Sequence, residues 1–304
     1  MPVFNRIFLF ILLMGGYCAL LGCRHVPFYR MTDKAVESLE YSRQGVCAYE
    51  HGDYDVAEKQ FQAALERNES NLEVCRYYAE TLWIKGKHQA SIDFLMNAVQ
   101  KKGTKENEIL LKQSLGEKLL LCGSASGAYE CAEKILELSP QNPDAWFLRA
   151  EALHKSGQFE EALLDYQKSL YYSPGDPKIL QEIIVVQNRL KNYEGALAAC
   201  QSMERNHSVN LSTGMLLAKA EAYQGINQWD EARETLLTAM RQEPDCPQIY
   251  RQIAELGLLT GNIQESLAAS QRALELVPGD ARSLAIQQRI QQIQMAGLST
   301  TIQR

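Results

Sequence analysis

Three stretches of this sequence repeat one pattern: DYDVAEKQFQAALE at residues 53–66, QFEEALLDYQKSLY at 158–171 and QWDEARETLLTAMR at 228–241. Each has an aromatic and then an acid at its second and third residues, reaches Ala57, Ala162 or Ala232, and continues with apolar residues at helical spacing. Carrying that register along the chain gives seven units of 34 residues: 38–71, 72–105, 109–142, 143–176, 177–210, 213–246 and 247–280. The chain is read as a repeat array, and that reading decides its fold.

The recurring positions have physical reasons. The twentieth residue of each unit is small, Ala57, Ser91, Ala128, Ala162, Ala196, Ala232 or Ser266, as a close helix crossing requires. The eighth is Gly45, Ala79, Gly116, Ala150, Ala220 or Ala254, with Ile184 in unit five. The fifteenth is glycine in five units (Gly52, Gly86, Gly123, Gly157, Gly261), where a left-handed helix end favours a residue without a side chain. Pro140, Pro174, Pro244 and Pro278 close units, since proline has no N–H to continue a helix.

A unit of this length and pattern resembles the tetratricopeptide repeat family. The resemblance covers residues 38–280 and implies an all-α, right-handed α-solenoid of about seven helix-turn-helix units. Leu284, Ile286, Ile290 and Ile293 suit a capping helix over 281–297, leaving 298–304 as a tail. Thr32 or Asp33 is the candidate cap of the first helix. Unit five departs most, with Ile184, Gln187, Lys191 and Ser208 at positions that are small, apolar, glycine and proline elsewhere, so looser packing is expected there.

The amino terminus carries a separate signal. Arg6 precedes the uncharged run IFLFILLMGGYCALLGC, residues 7–23, too short for a comfortable membrane span of about 20 residues. Its end, Leu20-Leu21-Gly22-Cys23, resembles the lipobox of bacterial lipoproteins. That resemblance implies a signal peptide at 1–22, acylation of Cys23 and a spacer over 23–37. Arg24, where an inner-membrane retention signal has aspartate, favours the periplasmic side of the outer membrane by the same resemblance.

Thirty-one basic and 37 acidic residues give a net charge of −6, and no basic stripe is present, so nucleic acid is not an expected partner. Phosphate-loop, nucleophile-elbow, zinc-protease and dinucleotide motifs are all absent, and the five histidines share no ligand spacing. No enzyme activity, metal or cofactor is expected. Beyond Cys18 and Cys23, six cysteines read as small buried hydrophobes, with a Cys122–Cys131 pairing left open.

In the tetratricopeptide family the first helix of each unit lines the groove, through positions two, five, nine, twelve and thirteen. Position nine holds Glu80, Glu117, Glu151, Glu221 and Glu255, and these positions together hold eight acids against five bases, Arg251 among them. Tyr49, Trp83, Phe147 and Leu258 supply apolar contact. The groove is expected to be mildly acidic and to take a basic or extended peptide. The whole reads as a membrane-tethered, non-catalytic scaffold for envelope proteins. Its alternative is a signal-anchored adaptor facing the cytoplasm.

Overall fold

The computed structural model describes residues 33–207 and 211–302. Among the described residues there are fifteen helices and no strands. They fall into two compact units that divide after Lys87. The N-terminal unit holds α1 (Asp33–Glu50), α2 (Tyr54–Arg67) and α3 (Leu72–Ile84). The C-terminal unit holds α4 (His88–Ala98), α5 (Lys105–Leu121), α6 (Ala125–Leu138), α7 (Pro143–Lys155), α8 (Phe159–Tyr172), α9 (Pro177–Arg189), α10 (Tyr193–His207), α11 (Thr213–Gly225), α12 (Trp229–Gln242), α13 (Pro247–Thr260), α14 (Ile263–Leu276) and α15 (Ala281–Ile302).

Helix α1 begins at Asp33, where the candidate cap Thr32 or Asp33 places its start, so the last residues of the 23–37 segment, 33–37, are helical. Helix α15 runs to Ile302, past the expected end at 297. The lipobox Cys23 and the signal residues 1–22 lie outside the described residues.

The small-residue rule holds at every repeat. Ala57, Ser91, Ala128, Ala162, Ala196, Ala232 and Ser266 are each 0% exposed. Ser266 Oγ donates to the Ala254 carbonyl at 2.6 Å, which puts positions twenty and eight of one unit in direct contact. At Gly45 the ring of Phe61 occupies the space that a Cβ would need. Tyr166, Leu148, Ile184, Leu236, Ile249 and Ile290 fill the C-terminal unit as its large, fully buried side chains. Burying each of the five aliphatic ones contributes roughly 1.5–3 kcal/mol. The six cysteines from Cys47 to Cys246 are free thiols, with Cys75, Cys131 and Cys200 buried.

Joints between repeats use side chains to satisfy the open N–H groups of the next helix. Asn71 accepts from Val74 N, Asn142 from Ala145 N and Asp176 from Lys178 N. Pro143, Pro177 and Pro247 take the first helical position, where no N–H is missed. Trp146 Nε1 and Tyr250 Oη donate to the carbonyls of Pro140 and Pro244, at 2.8 and 2.7 Å, and so pin two of these joints.

Unit five keeps the architecture with different residues. Ile184 is 1% exposed, but the neighbouring Gln187 Oε1 and Asn188 Oδ1 are buried without a hydrogen-bond partner among the described residues. Its turn residue Lys191 adopts φ 58°, and Asn227 in unit six φ 61°, where other units have glycine. Both turns retain the bonding of the glycine turns: Asn192 N donates to Gln187 O at 2.9 Å, as Gln158 N does to Leu153 O at 3.0 Å. The fold imposes the left-handed residue, and lysine bears the strain.

Lys191→Gly is therefore expected to stabilise the protein by about 1 kcal/mol, the strain relieved less the added freedom of the unfolded chain. Urea denaturation of the two forms measures it. A lower midpoint for the glycine form would contradict the account.

Candidate functional site

In the C-terminal unit the first helices of successive repeats line one trough made of three joined clefts. The first, about 460 Å³, has Phe159 and Tyr166 in its lining, with Glu151, His154 and Lys155 from α7 and Glu182 and Arg189 from α9. A second, about 350 Å³, begins at Arg189 and passes Glu221 and Gln224 of α11 to Arg251, Gln252 and Glu255 of α13. The third, about 480 Å³, lies between α13 and α15, with Glu255, Leu258, Leu259, Arg282, Ala285, Ile286 and Arg289 around it. Arg189 belongs to the first two clefts, Glu255 and Arg282 to the last two.

Concave walls change the charges within. Burial pushes the Glu151 carboxyl up, opposed mainly by Lys178, and does the same at Glu255 against Arg282 and Arg251. His154 is held below the usual imidazole range by burial, although Glu182 stands 3.8 Å from its Nδ1 and favours the proton. Arg251 is engaged: its Nη1 donates to Asp280 Oδ1 at 2.9 Å. Asp280 also caps α15 by accepting from Ser283 N at 2.9 Å.

Glu151, Glu221, Arg251, Glu255 and Leu258 thus line the trough as the sequence suggests. Phe147 does not offer itself to a ligand. It is 6% exposed, packed edge-on to Tyr166 at 5.4 Å and covered by Lys178 Nζ at 4.2 Å from the ring centre. Glu117 is exposed on α5 and accepts from Gln113 Nε2 at 3.2 Å.

In the N-terminal unit Tyr49 stacks edge-on against Tyr54 and Tyr77, and its phenol is raised by burial and by Glu80. The Arg76 guanidinium lies 4.5 Å over Tyr77, and Trp83 is half-buried on α3.

The trough of the C-terminal unit departs from expectation in its charge. Four carboxylates, Glu151, Glu182, Glu221 and Glu255, face five cations, Lys155, Arg189, Arg251, Arg282 and Arg289. The acidic excess expected over seven repeats is absent from this lining because the capping helix contributes Arg282 and Arg289, which outweigh the one added carboxylate, Glu182 from position six. A count over groove positions of seven repeats sees neither. Phe159 was missed too, because it belongs to the second helix of its unit, while Tyr166 of the same helix is 0% exposed and forms only the floor beneath it.

Among the described residues no cluster of three His, Cys, Asp or Glu could hold a metal, and no helix is long and apolar enough to cross a membrane.

Comparison with known proteins agrees with this build. Family models of the tetratricopeptide repeat match residues 43–104, 131–163 and 217–281. A BBSome complex member BBS4 homolog of Drosophila melanogaster is 25% identical over 226 residues, 70% of this chain. The chain spans 45% of the length of that relative. A tetratricopeptide repeat protein from Parabacteroides merdae superposes with a TM-score of 0.63 and 12% identity, over 84% of this chain and 99% of its own. PilW, a type IV pilus biogenesis factor, gives 0.62 and 17%, over 70% and 96%. Repeated in sequence and shared in fold with these two solved structures, the helix pairs make this chain an all-α tetratricopeptide repeat protein.

Proposed function

We propose that the chain is a non-catalytic scaffold, tethered to a bacterial envelope membrane through an acylated Cys23, that holds segments of partner proteins in its trough. The observation that carries the reading is the run of three clefts joined through Arg189, Glu255 and Arg282, with charges of both signs beside Phe159, Leu217 and Leu258. Such a lining suits an extended peptide that carries mixed charge and a few apolar residues. Two of the similar proteins, a complex member and a pilus biogenesis factor, carry names that accord with an assembly role. The lipobox-like Leu20-Leu21-Gly22-Cys23 supports the tether, and Arg24 after it favours the periplasmic side of the outer membrane.

The test places a photo-crosslinking amino acid at Leu217, inside the second cleft, or at Tyr171, which is 76% exposed and outside the three clefts. Irradiation of native membranes is expected to give discrete protein adducts at Leu217 and few at Tyr171. Equal yields at the two sites would remove the trough as the binding surface. In the same cells Cys23→Ser is expected to move the protein out of the detergent phase. Retention there would instead favour an uncleaved anchor with cytoplasmic repeats.

A further inference from the structure

The third cleft differs from the rest of the trough. Leu259 is 61% exposed beside it, Leu258 and Ile286 line it, and Ile293 follows one helical face on from Ala285 and Arg289 at 43% exposure. Its cations outnumber the acids near them: Glu255 is the one carboxylate in the lining, and residues 281–295 contain no acid. Asp280, the nearest acid in sequence, is committed to Arg251 and Ser283. Only Glu255 offsets the two arginines in the lining, and burial raises its carboxyl. The result is an apolar furrow between two helices with a positive rim, on a chain whose net charge is −6.

From this we infer that the furrow between α13 and α15 is a docking site for an acidic amphipathic helix of a partner protein. A helix laid there would present apolar residues at i, i+3, i+4 and i+7 to Leu258, Leu259, Ile286 and Ile293. Flanking Glu or Asp would meet Arg282 and Arg289. Room for about 480 Å³ matches a few such side chains, and a concave furrow suits a helix better than a flat bilayer surface. This occupant rests on the reading of the trough as a partner-binding surface, and it gives the carboxyl-terminal end of that trough a preference opposite to a basic ligand.

The test uses the full chain and two 16-residue helical peptides with identical leucines at that spacing, one with glutamates on its other face and one with lysines. Fluorescence anisotropy is expected to show saturable binding of the acidic peptide and at least about tenfold weaker binding of the lysine peptide. Leu259→Asp should weaken the acidic peptide by about tenfold or more. Arg282→Glu with Arg289→Glu should reverse the preference. All three residues are on the surface, and circular dichroism confirms that the variants fold. Equal affinity for the two peptides, equal binding of a scrambled acidic peptide, or indifference to these substitutions overturns the inference. So does binding to phosphatidylglycerol vesicles that the same substitutions abolish, since the furrow then serves a lipid surface. If the acidic peptide fails while Leu217 still crosslinks to protein, the inference falls alone; if both fail, the trough reading falls with it.

Discussion

Asp165→Ala is expected to remove about 3 kcal/mol of stability from the C-terminal unit, the cost of leaving a partly buried guanidinium without its partner. The Asp165 side chain is 6% exposed and accepts from Arg149 Nε at 2.6 Å and Nη2 at 2.9 Å. Arg149, itself 16% exposed, also donates to Glu133 through Nη1, and its guanidinium lies 4.4 Å over the Trp146 ring. One arginine therefore ties α6, α7 and α8 together. Deleting the aspartate leaves the guanidinium desolvated and short of an acceptor, which is worse than never having had the pair.

Repeat arrays can unfold in segments. Urea titration is therefore best followed both by circular dichroism and by the fluorescence of Trp146, which sits within this cluster, in a background with Trp83 and Trp229 replaced by phenylalanine. A loss below about 1 kcal/mol at Trp146 would mean that the pair acts as an exposed one.

Gly116→Val is expected to cost about 3 kcal/mol, at the upper end of what overpacking a core usually does. A Cβ built on Gly116 stands 2.5 Å from Leu148 Cδ2 and 3.2 Å from Cys131 Cβ. Leu148 is 2% exposed and closed in by its own neighbours, so it cannot swing aside without disturbing α7. Gly214 is the internal control. It is helical, nothing lies within 4 Å of its would-be Cβ, and alanine there should gain a few tenths of a kcal/mol from helix propensity. If Gly116→Val unfolds at the same urea concentration as the wild type, close packing at position eight is not what holds α5 against α6 and α7.

These expectations follow from features of unequal legibility. The glycine and alanine positions were readable because the constraint is local to one helix pair and repeats each time that pair does. Seven small residues at position twenty are a signal that no single repeat would provide. Arg149 and Asp165 carried no such signal, since each occurs in one unit and their partnership depends on which helix faces which. The turn at Lys191 was legible only as a missing glycine. The sequence could not tell whether the chain would abandon the left-handed residue or strain lysine into it, because that choice is made by the packing of α9 against α10.

The groove shows the same limit. Glu151, Glu221 and Glu255 could be placed on one lining by counting along the repeat, because position within a unit sets direction relative to the helix pair. The charge balance of that lining could not be counted, because Arg282 and Arg289 come from outside the repeats and Phe147 turned inward beneath Lys178.

By itself, then, the order of residues determined an all-helical array of paired helices, where each pair crosses and where each turns. Those are short-range steric demands written afresh in every 34 residues. Tertiary structure alone decided which charges meet, which aromatics are spent as core, and that the trough ends in an apolar furrow with a positive rim. Burial and ion pairing depend on neighbours brought together by stacking, and stacking joins residues that no local pattern relates.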